Sequence, residues 1–249
     1  MNKTDFAILK KSGVIIIFFI FFTNGANAFA QFDSIAIAIL DSMTDGISRL
    51  ETCNFKIYTE YDIQSDKYGL ITHSEIGDVY LKGPDKLFIN KKGDKGHKEF
   101  FYDGNTFLVY SFDKNQYAST ELKLNLIELI DSISRQFNVE FPGADVLYPD
   151  FTDNILENSQ NLVYLGLTLI NDIECYHIVG VQEEFTFQLW ITADGNYLPV
   201  KISLDYINKP NNPRYRAVYL DWKSDIPLED SMFVFKVPAG ATKIKIVNK

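Results

Sequence analysis

Along most of the chain apolar and polar residues alternate with a period of two, and in a few stretches the period lengthens to three or four. From Asp33 to Leu50 the apolar positions Ala36, Ile39/Leu40, Met43, Ile47 and Leu50 have the spacing of one helix face, with Asp33 placed to cap its start. Directly afterwards Phe55, Ile57, Thr59, Tyr61 and Ile63 alternate with Asn54, Lys56, Tyr58, Glu60 and Asp62, which predicts a half-buried strand. Short runs over 75–82, 86–91, 98–102, 106–111 and 116–119 follow. Gly83-Pro84-Asp85, Gly93-Asp94, Asp103-Gly104 and Asp113-Lys114-Asn115 separate them, all turn-forming combinations, so the first half reads as an antiparallel meander.

A second helix is predicted over 121–138, where Leu122, Leu126, Leu129, Ile130, Ile133 and Phe137 share one face. Residues 141–158 predict a loop and then a short helix capped by Thr152. Strands resume over 162–170, 174–181, 185–193, 196–206, 214–222 and 232–237. No repeat, low-complexity tract or Pro/Ser linker divides them, so residues 31–249 are expected to form one domain. About eleven strands with two substantial helices predict a mainly β fold with α (α+β). A flat sheet of that width is unusual; the expected form is a large curved antiparallel sheet, an unclosed half-barrel with helices over its concave face.

The stretch 183-EEFTFQLWITADGNYLPVKISLDY-206 breaks its own alternation at Trp190, which falls on the polar side. A two-residue turn at Asp194-Gly195 pairs Ile191 with Leu198, Leu189 with Val200, Phe187 with Ile202 and Phe185 with Leu204. That register sets Trp190 against Pro199, a cross-strand clasp on the outer face.

Charge and the first thirty residues narrow the function classes. MNKTDFAILKK, GVIIIFFIFF and TNGANAFAQ form the basic, apolar and small-residue zones of a secretory signal peptide over residues 1–30, cut after Ala28 or Ala30. The apolar run from Gly13 to Phe22 is about half the ~20 residues a spanning helix needs, so no stable membrane anchor is expected after cleavage. No cysteine follows either cut, which closes the lipoprotein route; the expected location is the periplasm. Residues 1–30 hold Lys3, Lys10, Lys11 and Asp5, so their removal takes the formal charge from −9 to −11. Nucleic acid is therefore not an expected partner.

Candidate chemistry is sparse. Cys53 and Cys175 are the two cysteines, and in an oxidising compartment they read either as one disulfide or as two separate buried thiols. His73-Ser-Glu75 and His97-Lys-Glu99 each place a histidine and a carboxylate two apart, short of the three or four converging ligands a metal needs; no metal and no cofactor are expected. There is no G-x-S-x-G, phosphate loop or H-E-x-x-H, and Asp145 and Asp150 read as turn formers and helix-start charges rather than an acid–base pair. An enzyme is not expected. A curved sheet under amphipathic helices leaves a groove that either binds an apolar ligand or is filled by side chains.

The order helix, strand, Gly83-Pro84-Asp85-Lys86-Leu87, 101-FYDGNTFLVYSFDKNQYA-118, helix and 187-FQLWITADGNYLPVKISLDY-206, with 141-FPGADVLYPD-150 and 219-YLDWKSD-225, resembles the bacterial predicted periplasmic proteins grouped as domain of unknown function 2092. More distantly, a Pro before a strand, Asp-Gly with a following Tyr and the Leu-Trp-Ile hairpin are similar to lipoprotein carriers of the LolA, LolB and LppX type and to the sensor domain of RseB. The pattern departs from LolA in its long second helix and in the loop 141–158, and none of Arg49, Arg135, Arg214 and Arg216 is carried over as a LolA-type arginine. The resemblance implies a LolA-like unclosed barrel with a helical lid, and a lipid or lipoprotein acyl chain as ligand. Phe55, Ile57, Leu126, Ile130, Phe187, Leu189 and Val200 are the expected lining. Two other readings stand beside it: an envelope protein partner or stress-sensor module, with Trp190 and Trp222 as anchors, and a cell-envelope hydrolase.

Overall fold

The computed structural model describes residues 31–137 and 143–245; the signal peptide expected over 1–30 and the first two residues of the loop at 141–158 lie outside the described residues. In chain order the elements are β1 (Gln31–Phe32), α1 (Ser34–Ser48), β2 (Thr52–Ser65), β3 (Gly69–Lys82), β4 (Lys86–Gly93), β5 (Gly96–Tyr102), β6 (Thr106–Ser111) and β7 (Gln116–Glu121). Then come α2 (Leu126–Phe137), a 3-10 turn at Ala144–Leu147, α3 (Phe151–Asn158), β8 (Ser159–Ile170), β9 (Ile173–Gln182), β10 (Phe185–Thr192), β11 (Pro199–Tyr206), β12 (Arg214–Ser224) and β13 (Thr242–Lys243).

All the strands belong to one open sheet in the order β1-β8-β9-β10-β11-β12-β2-β3-β4-β5-β6-β7-β13. Two antiparallel meanders, β2–β7 and β8–β12, are joined in the middle where β12 pairs with β2, Tyr219 opposite Ile57 and Tyr215 opposite Tyr61. The two-residue strands β1 and β13 add parallel to the outer edges. The α+β class with an unclosed curved sheet is thus the one expected from the sequence.

This connectivity explains where the helices lie. β1 sits at one edge and β2 in the centre, so α1 must cross a face to join them; the α2–α3 segment makes the return crossing from β7 to β8. Asp33 caps α1, its carboxylate accepting from Ile35 N–H at 2.8 Å, and the same carboxylate accepts from Tyr164 N–H of β8 at 3.3 Å. Ala36, Leu40 and Met43 on its inner side are wholly buried. α1 lies against β8, α3 and the 3-10 turn, and the Thr44 and Thr152 hydroxyls meet at 3.1 Å between the two helices. Thr152 is therefore an interhelix contact inside α3, and Asp150 stands at the cap position where Thr152 was expected.

α2 begins five residues later than its apolar spacing predicts, because the backbone of Leu122 and Leu124 is bonded to Tyr102 and Asn105 instead of to a helix. Tyr102 donates its hydroxyl to the Leu124 carbonyl at 2.7 Å and accepts from Leu124 N–H at 2.8 Å. Asn125 and Glu128 then close a capping box, each side chain accepting from the other's N–H at 2.9 and 3.0 Å. The strand expected over 232–237 is instead a 3-10 turn at Asp230–Phe233, whose Phe233 is buried.

The hairpin at 185–206 pairs in a different register from the two-residue turn. Leu189 stands opposite Ile202, Phe187 opposite Leu204 and Trp190 opposite Lys201. Asp194 accepts from both the N–H and the side-chain amide of Asn196, and Tyr197 takes a positive φ of 53°, so the loop runs from Ala193 to Leu198. The shift of two keeps Phe187 and Leu189 inward. A bulge between the Trp190–Lys201 and Ile191–Pro199 pairs leaves Val200 as the extra residue and turns it to the convex face. There it packs with Cys175 and Trp190, whose indole stacks on His177 at 4.5 Å with Lys201 Nζ 4.8 Å from the ring. Trp190 is on the outer face as expected, but its partners are His177 and Lys201 rather than Pro199.

The register also rules out the disulfide. Cys53 belongs to the main core on the inner side and Cys175 to the cluster on the convex side, and both are free and buried thiols. Burial, with the Asp225 charge adding to it, pushes Cys53 up to about 12.

Gly180 of β9 faces Phe187 across the sheet, and a Cβ at 180 would fall on the wholly buried Phe187 ring. Gly180→Ala is expected to cost about 1–3 kcal/mol through overpacking. A urea denaturation midpoint lowered at constant slope is the corresponding measurement; an unchanged midpoint would mean that the ring has room to move.

Candidate functional site

The two halves of the concave face are covered unequally. Over β8–β11 the face is packed solid: Phe187 and Leu189 are 1% and 0% exposed, in the same core as Leu40 and Met43 of α1. Over β12, β2, β3 and β4 it is not, and a trough of about 820 Å³ lies over the sheet, lined on its covered side, among the described residues, by Ile130 of α2 and by Gly143, Ala144 and Leu147.

Strand alternation builds its floor in rows. Leu81 and Leu87 form the deepest row, then Phe55, Val79 and Ile89, then Tyr219, Ile57, Gly77 and Lys91 side by side on β12, β2, β3 and β4. Gly77 supplies no side chain in the middle of that row. A Cβ there would sit 3.4 Å from Ile57 Cγ2 and 3.9 Å from Ile89 Cγ2, so a larger residue fits the sheet and projects into the trough. Further up stand Thr59 and Glu75, then Tyr61 and Tyr215. The mouth opens among the β2–β3, β4–β5 and β11–β12 turns, with Ile63, Lys95, Lys209 and Arg214 around it.

A tyrosine holds the cover in place. The Tyr219 hydroxyl donates to the Gly143 carbonyl at 2.7 Å, and Gly143 has φ 85°, where a Cβ would come within 2.7 Å of that same hydroxyl oxygen. A glycine is needed there both for the backbone angle and for the approach. Burial, with the Asp145 charge adding to it, keeps the Tyr219 phenol un-ionised, and burial does the same for Tyr215.

Near the mouth Glu75 and Lys91 pair at 2.7 Å, with the Glu75 side chain only 11% exposed. Asp62 accepts from Thr72 Oγ1 at 2.6 Å and from Arg214 N–H at 3.0 Å, and its carboxylate lies 3.8 Å from Arg214 Nε. Tyr61 lies between these groups, its hydroxyl 3.5 Å from Glu75 Oε1. Burial first, and then the Glu75 and Asp94 charges, raise it from the ordinary value of 10.0 to about 12.

Of the residues expected to line a ligand site, Phe55, Ile57 and Ile130 face the trough. Phe187 and Leu189 are core residues under the other half of the cover, Leu126 is half-buried against that core, and Val200 is on the convex face because of the bulge. The residues that reasoning from sequence missed are Gly77, Tyr219 and Gly143. The alternation of β2 and β3 places Gly77 on the inward face, which is the one signal that could have found it. The other chemical candidates are engaged elsewhere: His73 pairs with Asp94 at 2.9 Å, and His97 bonds Asn90 and stacks on Phe112. Asp145 and Asp150 are exposed at the 3-10 turn and the start of α3, and neither lines the trough.

Comparison with known proteins gives one family and several similar solved structures. The model of a family described as "Predicted periplasmic protein (DUF2092)" matches residues 36–247. No curated protein matches. Among solved structures, an uncharacterized conserved protein from Thermus thermophilus is similar at 11% identity, covering 85% of this chain and 99% of that one, with a TM-score of 0.49. Mycobacterium tuberculosis lipoprotein LppX is similar at 16% identity over 79% of this chain and 100% of that one, TM-score 0.44. MucB in the Pseudomonas aeruginosa MucA/MucB complex is similar at 11% identity over 81% of this chain and 62% of that one, TM-score 0.46.

Tyr61 carries a pH dependence with a definite sign. Its folded-state value lies above the unfolded one, so the stabilisation it brings is complete below pH 10.0 and is lost as pH rises towards about 12. Chemical denaturation across that window is expected to show a steeper fall for the wild type than for Tyr61→Phe. Parallel curves would contradict the assignment.

Proposed function

The chain belongs to the DUF2092 family of predicted periplasmic proteins, and on that premise we propose that it holds an apolar ligand, a lipid or the acyl chain of a lipoprotein, in the trough under Gly143–Leu147, and that it catalyses no reaction. The observation that carries this reading is the trough itself: about 820 Å³, inside the roughly 300–1,000 Å³ range of small-molecule sites, with a floor of aliphatic and aromatic side chains. Its deepest rows, Leu81, Leu87, Phe55, Val79 and Ile89, offer no hydrogen-bonding side chain. Water there gains little, and an apolar chain displaces it favourably.

A protein partner is the second reading, and its support is on the edge of the sheet. β8 pairs outward with β1 only at Asn161 and Leu162, and beyond them Leu165, Leu167 and Leu169 are exposed. Trp190 and Trp222 do not serve as its anchors: the first is buried against His177, and the second packs tilted on Phe55, ring centres 4.1 Å apart, and donates to the Pro199 carbonyl at 3.0 Å.

Filling the trough separates ligand holding from folding. Gly77→Leu is expected to weaken uptake of a neutral naphthylamine probe about tenfold or more, equivalent to ~1.4 kcal/mol, while leaving the denaturation midpoint unchanged or higher, since glycine weakens a strand interior. Fluorescence titration of the mature protein and its variant reads this. Failure of the wild type to take up the probe, or equal uptake by both, would overturn the proposal.

A further inference from the structure

The mouth of the trough has the opposite charge to the molecule around it. The whole chain carries −9, yet the trough is lined by four cations, Lys91, Lys95, Lys209 and Arg214, against two carboxylates, Glu75 and Asp62. Both carboxylates are already committed, Glu75 to Lys91 at 2.7 Å and Asp62 to Arg214 at 3.8 Å. Among the described residues that leaves Lys95 and Lys209 without an ion-pair partner. They come from different turns, Lys95 from the β4–β5 turn and Lys209 from the β11–β12 loop, on opposite sides of β2 and β3. Each ammonium lies over an aromatic ring of the upper trough: Lys209 Nζ is 3.8 Å from the Tyr206 ring centre and Lys95 Nζ 5.2 Å from that of Tyr61.

From this arrangement we propose that the mouth seats the anionic headgroup of an amphiphile whose apolar chain occupies the trough, Lys95 and Lys209 closing on the headgroup from two sides. The inference rests on the apolar-trough reading and adds a ligand class to it: an acyl chain ending in a carboxylate or phosphate, as against a neutral lipid. Long, flexible lysine stems resting on tyrosine rings keep the ammonium groups at the apolar–polar boundary, where the end of a seated chain emerges. An exposed ammonium that is not already paired gives up less for a new anion than one held by a carboxylate. The Glu75–Lys91 pair below them marks the depth at which the floor turns from apolar to charged, so the headgroup is held at the rim and the chain points towards Leu81 and Leu87.

The test compares a fluorescent long-chain fatty acid with its methyl ester on the mature protein. A second pair, a lysolipid ending in a phosphate monoester against its phosphocholine counterpart, distinguishes carboxylate from phosphate as the source of charge. The wild type is expected to prefer the anionic member of at least one pair about five- to tenfold, the size two partly exposed charge contacts support, and added salt should narrow the preference. In the double variant Lys95→Gln/Lys209→Gln the ratio should fall close to one. Equal uptake of both members of both pairs by the wild type, or a preference that survives the double substitution, would overturn the headgroup seat while leaving the apolar trough standing. Failure to take up the neutral naphthylamine probe and every lipid would overturn both.

Discussion

What the rest of the structure depends on is the burial of one helix against one half of one sheet. A sheet of this width has a single concave face, and the strands from β1 through β8–β12 to β2–β6 present apolar alternate residues to it. The chain covers that face only with the segments that must cross it, because β1 lies at an edge while β2 lies at the centre, and β7 and β8 lie near opposite edges. α1 makes the first crossing and buries Ala36, Leu40 and Met43 completely. With α3 beside it, α1 keeps Leu162, Ile178, Phe187 and Leu189 of β8–β10 buried.

The return crossing has less to offer. α2 is capped at Asn125 and preceded by the Tyr102–Leu124 bonds, and among the described residues the cover is continued by the short turn after Gly143. Between the described residues of that crossing and the four strands a space is left, and Gly77 removes a side chain from the middle of it. Connectivity and one glycine both contribute to that space. Because Tyr219 ties the turn to the sheet through Gly143, the cover has a defined height above the floor. The change from apolar rows to the Glu75–Lys91 pair then gives the trough a direction, with a greasy closed end and a charged open one.

Much of this architecture was legible in the sequence because it is written in local periodicity. The α1 face with its Asp33 cap, the alternation of β2 and the Gly-Pro-Asp and Asp-Gly turns all appear where local pattern puts them. The register of β10 and β11 was not, since Asp194-Gly195 suits a two-residue turn and only the Asp194–Asn196 contacts show that the loop is longer. A shift of two preserves which face Phe187 and Leu189 occupy, but the bulge that accompanies it moves Val200 to the other side. Lining and core look alike along a strand, and whether an inward residue meets a helix or a void is decided by the crossing segments. Hence Phe55 and Ile57 face the trough while Phe187 and Leu189, equally apolar and equally inward, do not. Cys53 and Cys175 were separable only once the two faces of the sheet were known.

The most direct measurement is a crystal structure of the mature protein grown with an acyl chain brominated near its end, read by anomalous scattering. Bromine density is expected beside Leu81, Leu87 and Ile130, with the polar end of the chain at the β4–β5 and β11–β12 turns. Bromine on the convex face, along the Leu165–Leu169 edge or nowhere in the trough would contradict it.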